Sequence, residues 1–423
     1  MHFRCGKSGA KKGLRIPATG LRFCLMKLAS IVTGAILTLS LFSMFLLFAA
    51  RPAQAHTETV LYNFTDGSDG AYPEQTLTSD HAGNFYGTTL SGGLGYGIVF
   101  ELSPKGSGGW NEIVLYSFTG GEDGANPSGP LIFDSVGNLF GTASGGGTYG
   151  DGVVFELSPL GTGWRESVLH DFAGGADGKF PISGVIFDAA GNLYGTTYNG
   201  WKTATIFEMS PSGSGWTEQV IYAVETSGAG LTMDAAGNIF SATYSEVFEL
   251  SPNGNGGWTP TVIHTFTAYP KDGYYADTAP VLDKAGNIYG TTLEGGPDNG
   301  GTVYRLRPEK KGKWTETILH SFKGFKHGNA PVAGIVFDEA GNIYGTTLWG
   351  GSQDWGTVFE LVAPVGKGGY EEKILWSFTG ADGLGPYAGV ILDSAGNLYG
   401  ATYKGGTTYG DNYGYGVVFE VTP

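Results

Sequence analysis

Three sets of residues in this chain recur at spacings that could support chemistry. Aspartate opens the pattern Asp-x-x-Gly-Asn seven times, with Gly-Asn at 83–84, 137–138, 191–192, 237–238, 286–287, 341–342 and 396–397. Acidic glycine-flanked segments recur as Asp66 to Gly70, Glu122-Asp123-Gly124, Asp177-Gly178, Asp272-Gly273 and Asp382-Gly383. His170, His264 and His320 occupy one repeat position. Repeated carboxylates could do acid–base work. The Asp-Gly set could hold calcium together with backbone carbonyls, and histidines are general bases and metal ligands.

Each set also has a mechanical reading, and the spacing favours it. Asp bonds the backbone at the start of a type I turn, and Gly accepts the positive φ that closes it, so the seven aspartates read as turn-formers. Asp-Gly is itself a turn dipeptide. No segment matches an EF-hand loop or a calcium-binding glycine-rich nonapeptide, so calcium has no specific motif behind it and no cofactor is expected. The histidine position holds Tyr62, Tyr116, Tyr222 or Trp376 in the other units, which marks it as a packing site for a half-polar ring. His81 lies in a turn. His327 stands alone on its rim, and one histidine does not make a metal site. There is no His-Glu-x-x-His, Gly-x-Ser-x-Gly or phosphate loop, and no catalytic residue is assigned. Paired carboxylates for glycoside hydrolysis stay open, because their separation is a property of the fold.

The elements that must carry these residues are short. Around each Asp-x-x-Gly-Asn lie four apolar runs, such as Gly184-Val185-Ile186-Phe187, Asn192 to Thr197, Val153 to Pro159 and Trp314 to Phe322. None is long enough for a typical helix and each is bounded by Gly, Pro, Asn or Asp, so all four read as strands. The repeats are spaced by 54, 54, 46, 49, 55 and 55 residues. Four strands per fifty-odd residues is the period of a β-propeller blade. The expected fold is therefore all-β, a seven-bladed propeller of four-stranded blades. The last unit lacks a fourth strand, and residues 56–64 supply one ahead of the first unit. The ring is expected to close by that N-terminal strand completing the last blade.

Of the two rims of such a ring, one carries the uniform Asp-x-x-Gly-Asn and Ser-Pro-x-Gly turns and reads as scaffold. The other varies, and loops on a rigid scaffold are where function usually sits. That rim carries Tyr96, Tyr149, Trp201, Trp349, Trp355, Tyr409, Tyr413 and Tyr415 from one loop set, and Tyr72, Phe180, Tyr274, Tyr275, Phe325 and Tyr387 from the other. Such rings either form platforms for sugars or peptides, or pack over the central channel. Loops are short in units three (Tyr198-Asn199-Gly200-Trp201) and four (Thr243-Tyr244-Ser245-Glu246) and long elsewhere, which leaves a lopsided groove. Trp349, Trp355, Tyr409 and Tyr413 are the expected ligand-binding residues on its raised wall.

Composition bounds the rest. With 74 glycines in 423 residues, no three-residue period and 19 prolines, collagen is excluded. The 9 Trp, 23 Tyr and 25 Phe suit strands. Residues 1–55 hold eight basic residues and no acidic one, then an uncharged apolar run from Leu28 to Ala50 and the small-x-small site Ala53-Gln54-Ala55. They read as a secretion signal cleaved after Ala55, with Met26 an alternative start, and against that stands an uncleaved anchor. Residues 56–423 are then the single propeller domain. Cys5 and Cys24 both lie in the signal, so no disulfide or thiol chemistry is expected beyond it. The whole chain carries a formal charge of −15 and the remainder is more negative still, which disfavours nucleic acid and anionic lipid as partners. A monomer is expected, secreted or held in the envelope of a bacterium.

The unit Gly-Asn-Leu-Tyr-Gly-Thr-Thr, then Gly-Gly, Gly-Val-Val-Phe-Glu-Leu-Ser-Pro and Phe-x-Gly-Gly-x-Asp-Gly resembles the GloVer tandem repeat of secreted bacterial proteins, over residues 58–423. The resemblance implies export and propeller-like repeats, and it implies no chemistry. A binding module for polysaccharide or protein is the favoured reading. A propeller lyase or glycosidase with carboxylates at the channel mouth, and a purely structural envelope protein, are the alternatives.

Overall fold

The structure is a computed structural model and describes residues 56–423 apart from 81, 107, 200–203, 214, 225–228, 268, 367 and 408–412. Within them the only helical element is a single 3-10 turn at Lys310–Gly312. None of the described helices is long and apolar enough to cross a membrane.

Seven antiparallel sheets form the blades, each running from a two-residue first strand to a long fourth one. Blade 1 is Thr78–Ser79, Phe85–Thr89, Ile98–Pro104 and Trp110–Ser117; blade 5 repeats it as Val281–Leu282, Ile288–Thr292, Thr302–Pro308 and Trp314–Ser321. Blade 7 takes three strands from Ile391–Leu392, Leu398–Thr402 and Val417–Thr422. Its fourth is Thr57–Asn63, paired antiparallel from Thr57 opposite Thr422 to Asn63 opposite Val417. The closed ring read from the sequence is the one observed.

The Asp-x-x-Gly-Asn turns behave as expected. In each, the Asp carboxylate accepts the backbone N–H two and four residues on and the Asn side-chain amide, as Asp188 does from Ala190 (2.8 Å), Asn192 N (2.9 Å) and Asn192 Nδ2 (2.8 Å). These bonds hold Asp80, Asp188, Asp283 and Asp393 below their ordinary pKa against the opposing effect of burial. The second strand is largely buried and in six blades carries a glycine opposite the ring of the third, Ser241 taking that place in blade 4. A Cβ on Gly195 would come within 2.5 Å of the Phe207 ring. That glycine lets the ring lie flat across the sheet.

The core is divided among the junctions. Seven apolar clusters each draw on two neighbouring blades, blades 7 and 1 included, where Phe64, Phe85, Phe100, Tyr399 and Val418 meet. Hydrogen bonds sew the same junctions on the inside. Thr142 Oγ1 donates to Ser183 O (2.8 Å), Thr346 Oγ1 to Ala388 O (2.8 Å), and Gly389 N across the closure to Thr76 Oγ1 (3.0 Å).

Candidate functional site

Every fourth strand has a register shift against the third, immediately before the residue that is Tyr, His or Trp. A bulge of this kind re-aims the next side chain. At five of these positions the ring packs edge-on against a Phe two residues later, at 5.1 Å for Tyr62–Phe64 and 4.6 Å for His170–Phe172, whereas Tyr222 is followed by Val224. Its polar tip reaches an acid in the following loop. Tyr62 and Tyr116 donate to Asp69 (3.2 Å) and Asp123 (2.9 Å), Trp376 Nε1 donates to Asp382 (3.0 Å), and His170 Nε2 lies 2.9 Å from Asp177. The ring position is thus a packing site with a polar tether. The Asp-Gly acids close their loops as well, accepting the backbone N–H of Thr65, Thr119, Ala173, Thr267 and Thr379.

A third member of each group comes from the next blade. Glu112, Glu166 and Glu218 face Asp69, Asp123 and Asp177, and burial followed by that repulsion lifts each glutamate to about 7. Glu58 beside Asp382 and Glu316 beside Asp272 rise to about 8 for the same reasons. One carboxylate oxygen of each of these five glutamates is buried without a hydrogen-bond partner. Each glutamate so raised titrates near neutrality, and the pair gives up its second charge as pH falls through that range. The junction between blades 5 and 6 differs. His327 stands where the loop acid would be, and Glu372 meets His327 Nδ1 (2.8 Å), Gly328 N (3.3 Å) and His320 Nε2 (3.5 Å). Burial would raise Glu372, but hydrogen bonds and charge, led by His320, hold it below its ordinary value. The sequence reading did not find these glutamates. Their signal is the recurrent Trp-x-Glu at Trp110-Asn111-Glu112, Trp164-Arg165-Glu166, Trp216-Thr217-Glu218 and Trp314-Thr315-Glu316.

On the variable rim, among the described residues, six second-to-third-strand loops latch the following blade through their backbone. Asn126 N donates to Tyr96 O (2.8 Å), Gly385 N to Trp355 O (2.9 Å) and Tyr72 N to Tyr415 O (2.8 Å). The donors have positive φ, including the non-glycine residues Tyr72 (62°), Asn126 (52°), Phe180 (52°), Tyr275 (58°) and Ala330 (59°). Backbone strain is therefore held at the points that aim rim side chains. Among the described residues, rim rings cluster at three places: Tyr72, Tyr387, Tyr403 and Tyr415 around the closure, Tyr244, Tyr274 and Tyr275 between blades 4 and 5, and Trp355 with Tyr413.

The sequence-derived residues are distributed unevenly. Trp349 is 42% and Tyr413 65% exposed. Trp355 meets Tyr413 edge-on at 6.1 Å and lies over Gly380, where it leaves no room for a Cβ. Part of its face is spent on packing. Tyr409 and Trp201 lie outside the described residues, as does His81. The shortened loop of blade 4 is a tight turn, with Thr243 N donating to Glu246 O (2.7 Å).

Below the rim, the residues five and six places before the turn aspartates converge at the axis. Glu74, Gln75, Ile182, Ala229, Asp277 and Tyr387 line one cavity of about 220 Å³. Burial pushes Glu74 up to about 7, and burial followed by the charge of Glu74 raises Tyr387. Glu74 takes no part in the repeat pattern, so spacing could not single it out.

Known proteins share this architecture. The structure superposes on virginiamycin B lyase from Staphylococcus aureus with a TM-score of 0.53 at 13% identity, covering 87% of this chain and 99% of the lyase. A streptogramin B lyase gives 0.53 at 14%, with 88% and 99% covered. The extracellular domain of a hybrid two-component system from B. thetaiotaomicron gives 0.52 at 14%, covering 87% of this chain and 41% of that one. At these identities the likeness is one of fold alone. Among curated proteins none matches the sequence. The model of the Gloeobacter/Verrucomicrobia repeat matches residues 46–245, 95–284 and 227–423, and with nearly the whole ring so covered the chain belongs to that family of repeat proteins.

Proposed function

We propose that this protein is an exported binding module whose variable rim holds an extended polysaccharide or peptide. The observation that carries the reading is the asymmetry between its two rims. One is a row of self-satisfied Asp-x-x-Gly-Asn turns. The other presents exposed rings along blades 6 and 7, with Trp349, Tyr413 and Tyr387 at 42%, 65% and 40% exposure. Aromatic faces beside glycine-rich backbone suit ring stacking on sugars and peptide groups. The rim rings meet few cations, Lys404 over Tyr403 and Lys179 over Phe180 among them. Binding should therefore depend weakly on salt.

The test is a glycan and peptide screen followed by Trp349→Ala with Tyr413→Ala. This pair is preferred to one containing Trp355, whose loss would uncover Gly380. Loss of at least about tenfold in affinity with an unchanged melting temperature is expected, as each stacked ring contributes about 1 kcal/mol. Full affinity in the double variant would remove the rim reading. A second reading has its own observation, the placing of Glu74 and Asp277 in one axial cavity. A propeller lyase or glycosidase would need such convergent acids. Glu74→Gln should then abolish turnover of whichever polysaccharide the screen finds, and unchanged depolymerisation would dismiss that reading.

A further inference from the structure

Among the described residues two junctions, between blades 2 and 3 and between blades 4 and 5, gather a histidine, an aspartate and a glutamate, and they differ in one respect. Between blades 2 and 3, His170 Nε2 and Asp177 Oδ1 are hydrogen-bonded at 2.9 Å. At the blade 4–5 junction, His264 Nε2 stands 3.6 Å from Asp272 Oδ2 and 3.4 Å from Glu316 Oε1. His264 Nε2 and Glu316 Oε1 are both buried, and neither has a hydrogen-bond partner. A buried ring nitrogen and a buried carboxylate oxygen left facing each other are costly unless something lies between them.

We propose that His264, Asp272 and Glu316 form a binding site for a divalent cation of the zinc class, bridging blades 4 and 5. The spacing fits. Metal–ligand bonds of about 2.0–2.2 Å in tetrahedral geometry place ligand atoms roughly 3.3–3.6 Å apart, and one atom from each of the three residues lies within 4.8 Å of the other two. The donor set is one imidazole and two carboxylates. It suits zinc, cobalt or nickel better than calcium, which asks for six to eight oxygens. Two carboxylates balance the ion's charge. Asp272 is already oriented for the task, because it accepts bonds from Thr267 N (2.7 Å), Thr267 Oγ1 (3.1 Å) and Gly273 N (2.7 Å). Such supporting bonds fix the direction of a metal-binding carboxylate. His264 is oriented by its edge contact with Phe266 at 4.8 Å. Side-chain exposures of 18% for His264 and 19% for Glu316 leave a path for entry. The ion would join the fourth strand of blade 4, the loop after it and the fourth strand of blade 5.

The experiment uses the protein from His56 onward, stripped with a chelator and titrated with Zn²⁺ and with Co²⁺. One equivalent should bind, raise the melting temperature, and with Co²⁺ give the intense visible absorption of a tetrahedral site. His264→Tyr is the decisive variant, because Tyr62, Tyr116 and Tyr222 occupy this position in other units and the fold already accepts that ring. It should keep the melting temperature of the stripped wild type and bind the ion at least about 100-fold more weakly. Glu316→Gln should do the same, and His170→Tyr should bind as the wild type does. No binding by the wild type would overturn the proposal. So would binding that survives His264→Tyr, or that is lost in His170→Tyr instead.

Discussion

Tyr304 fills the position where the other six blades place Phe100, Phe155, Phe207, Phe248, Phe359 and Phe419. It is fully buried, and its hydroxyl has no partner. Desolvating a hydroxyl without a hydrogen bond costs about 1–3 kcal/mol, so Tyr304→Phe should stabilise the ring by about 1 kcal/mol, read as a higher urea midpoint. A lower midpoint would mean the hydroxyl has a role in the blade 4–5 junction. Gly195 is the opposite case. An alanine there would drive its methyl group into Phe207 and should cost about 1–3 kcal/mol, whereas the same change at Gly191, whose Cβ would meet nothing within 4 Å, would be felt only through its φ of 86°. Comparing the two unfolding curves separates packing from backbone strain. Neither Gly195 nor Tyr304 could be valued from the sequence alone, because the worth of each depends on the ring lying across it.

Between elements, the recurring unit is an acid from one blade against an acid from the next. Glu58, Glu112, Glu166 and Glu218 have folded pKa values of about 7 to 8, above the ordinary 4.5. A raised folded pKa gives stability that is complete below the unfolded value and fades as pH climbs through the folded one. The turn aspartates act in the other direction. Asp80, Asp188, Asp283 and Asp393 lie below 3.8 in the fold, so their contribution is present above that pH and is lost as acid protonates them. Together these set a stability maximum at about pH 4–5, with a decline of several degrees in melting temperature towards pH 8.5, measured with EDTA present. Glu166→Gln should flatten the alkaline side. A melting temperature that rises steadily from pH 5 to 8.5 would contradict the paired-acid reading. The strands, turns and half-polar rings were legible in the sequence because each is settled within one unit. The acid pairs were not, since Asp272 and Glu316 belong to different units and only the packing of one blade on the next brings them together.

For the whole molecule, closure brings strand pairing and core burial together in one segment. Strand Thr57–Asn63 covers the edge of Val417–Thr422 and packs Val60 and Leu61 against the clusters on either side of blade 7. Deleting residues 56–64 should cost several kcal/mol and convert one sharp melting transition into a broad one, because pairing and burial are lost together. Retention of the original melting temperature would mean that the ring does not need its clasp. This arrangement was legible because the last unit lacks the strand that precedes the first. The binding surface was legible only as a list of rings. Which of them are exposed depends on loop heights and on close approaches such as Trp355 over Gly380, and neither leaves a trace in spacing.

The register of that closing pair also sets how the ring responds to force. Thr57 lies opposite Thr422, so both ends of the paired strands emerge at the same side of blade 7. Tension applied through them would load the first hydrogen bonds, break them, and pass to the next pair in turn. The clasp would peel like a zip at low force. Handles placed at residue 57 and in the loop just before Val417 would instead pull along the strands, loading all the bonds at once, and should need several times the force in an optical trap. A ring that resists heat by closing on itself would thus be easily opened by a pull on that end of the clasp, and a partner gripping residue 57 and residue 422 could unfasten it without melting a blade.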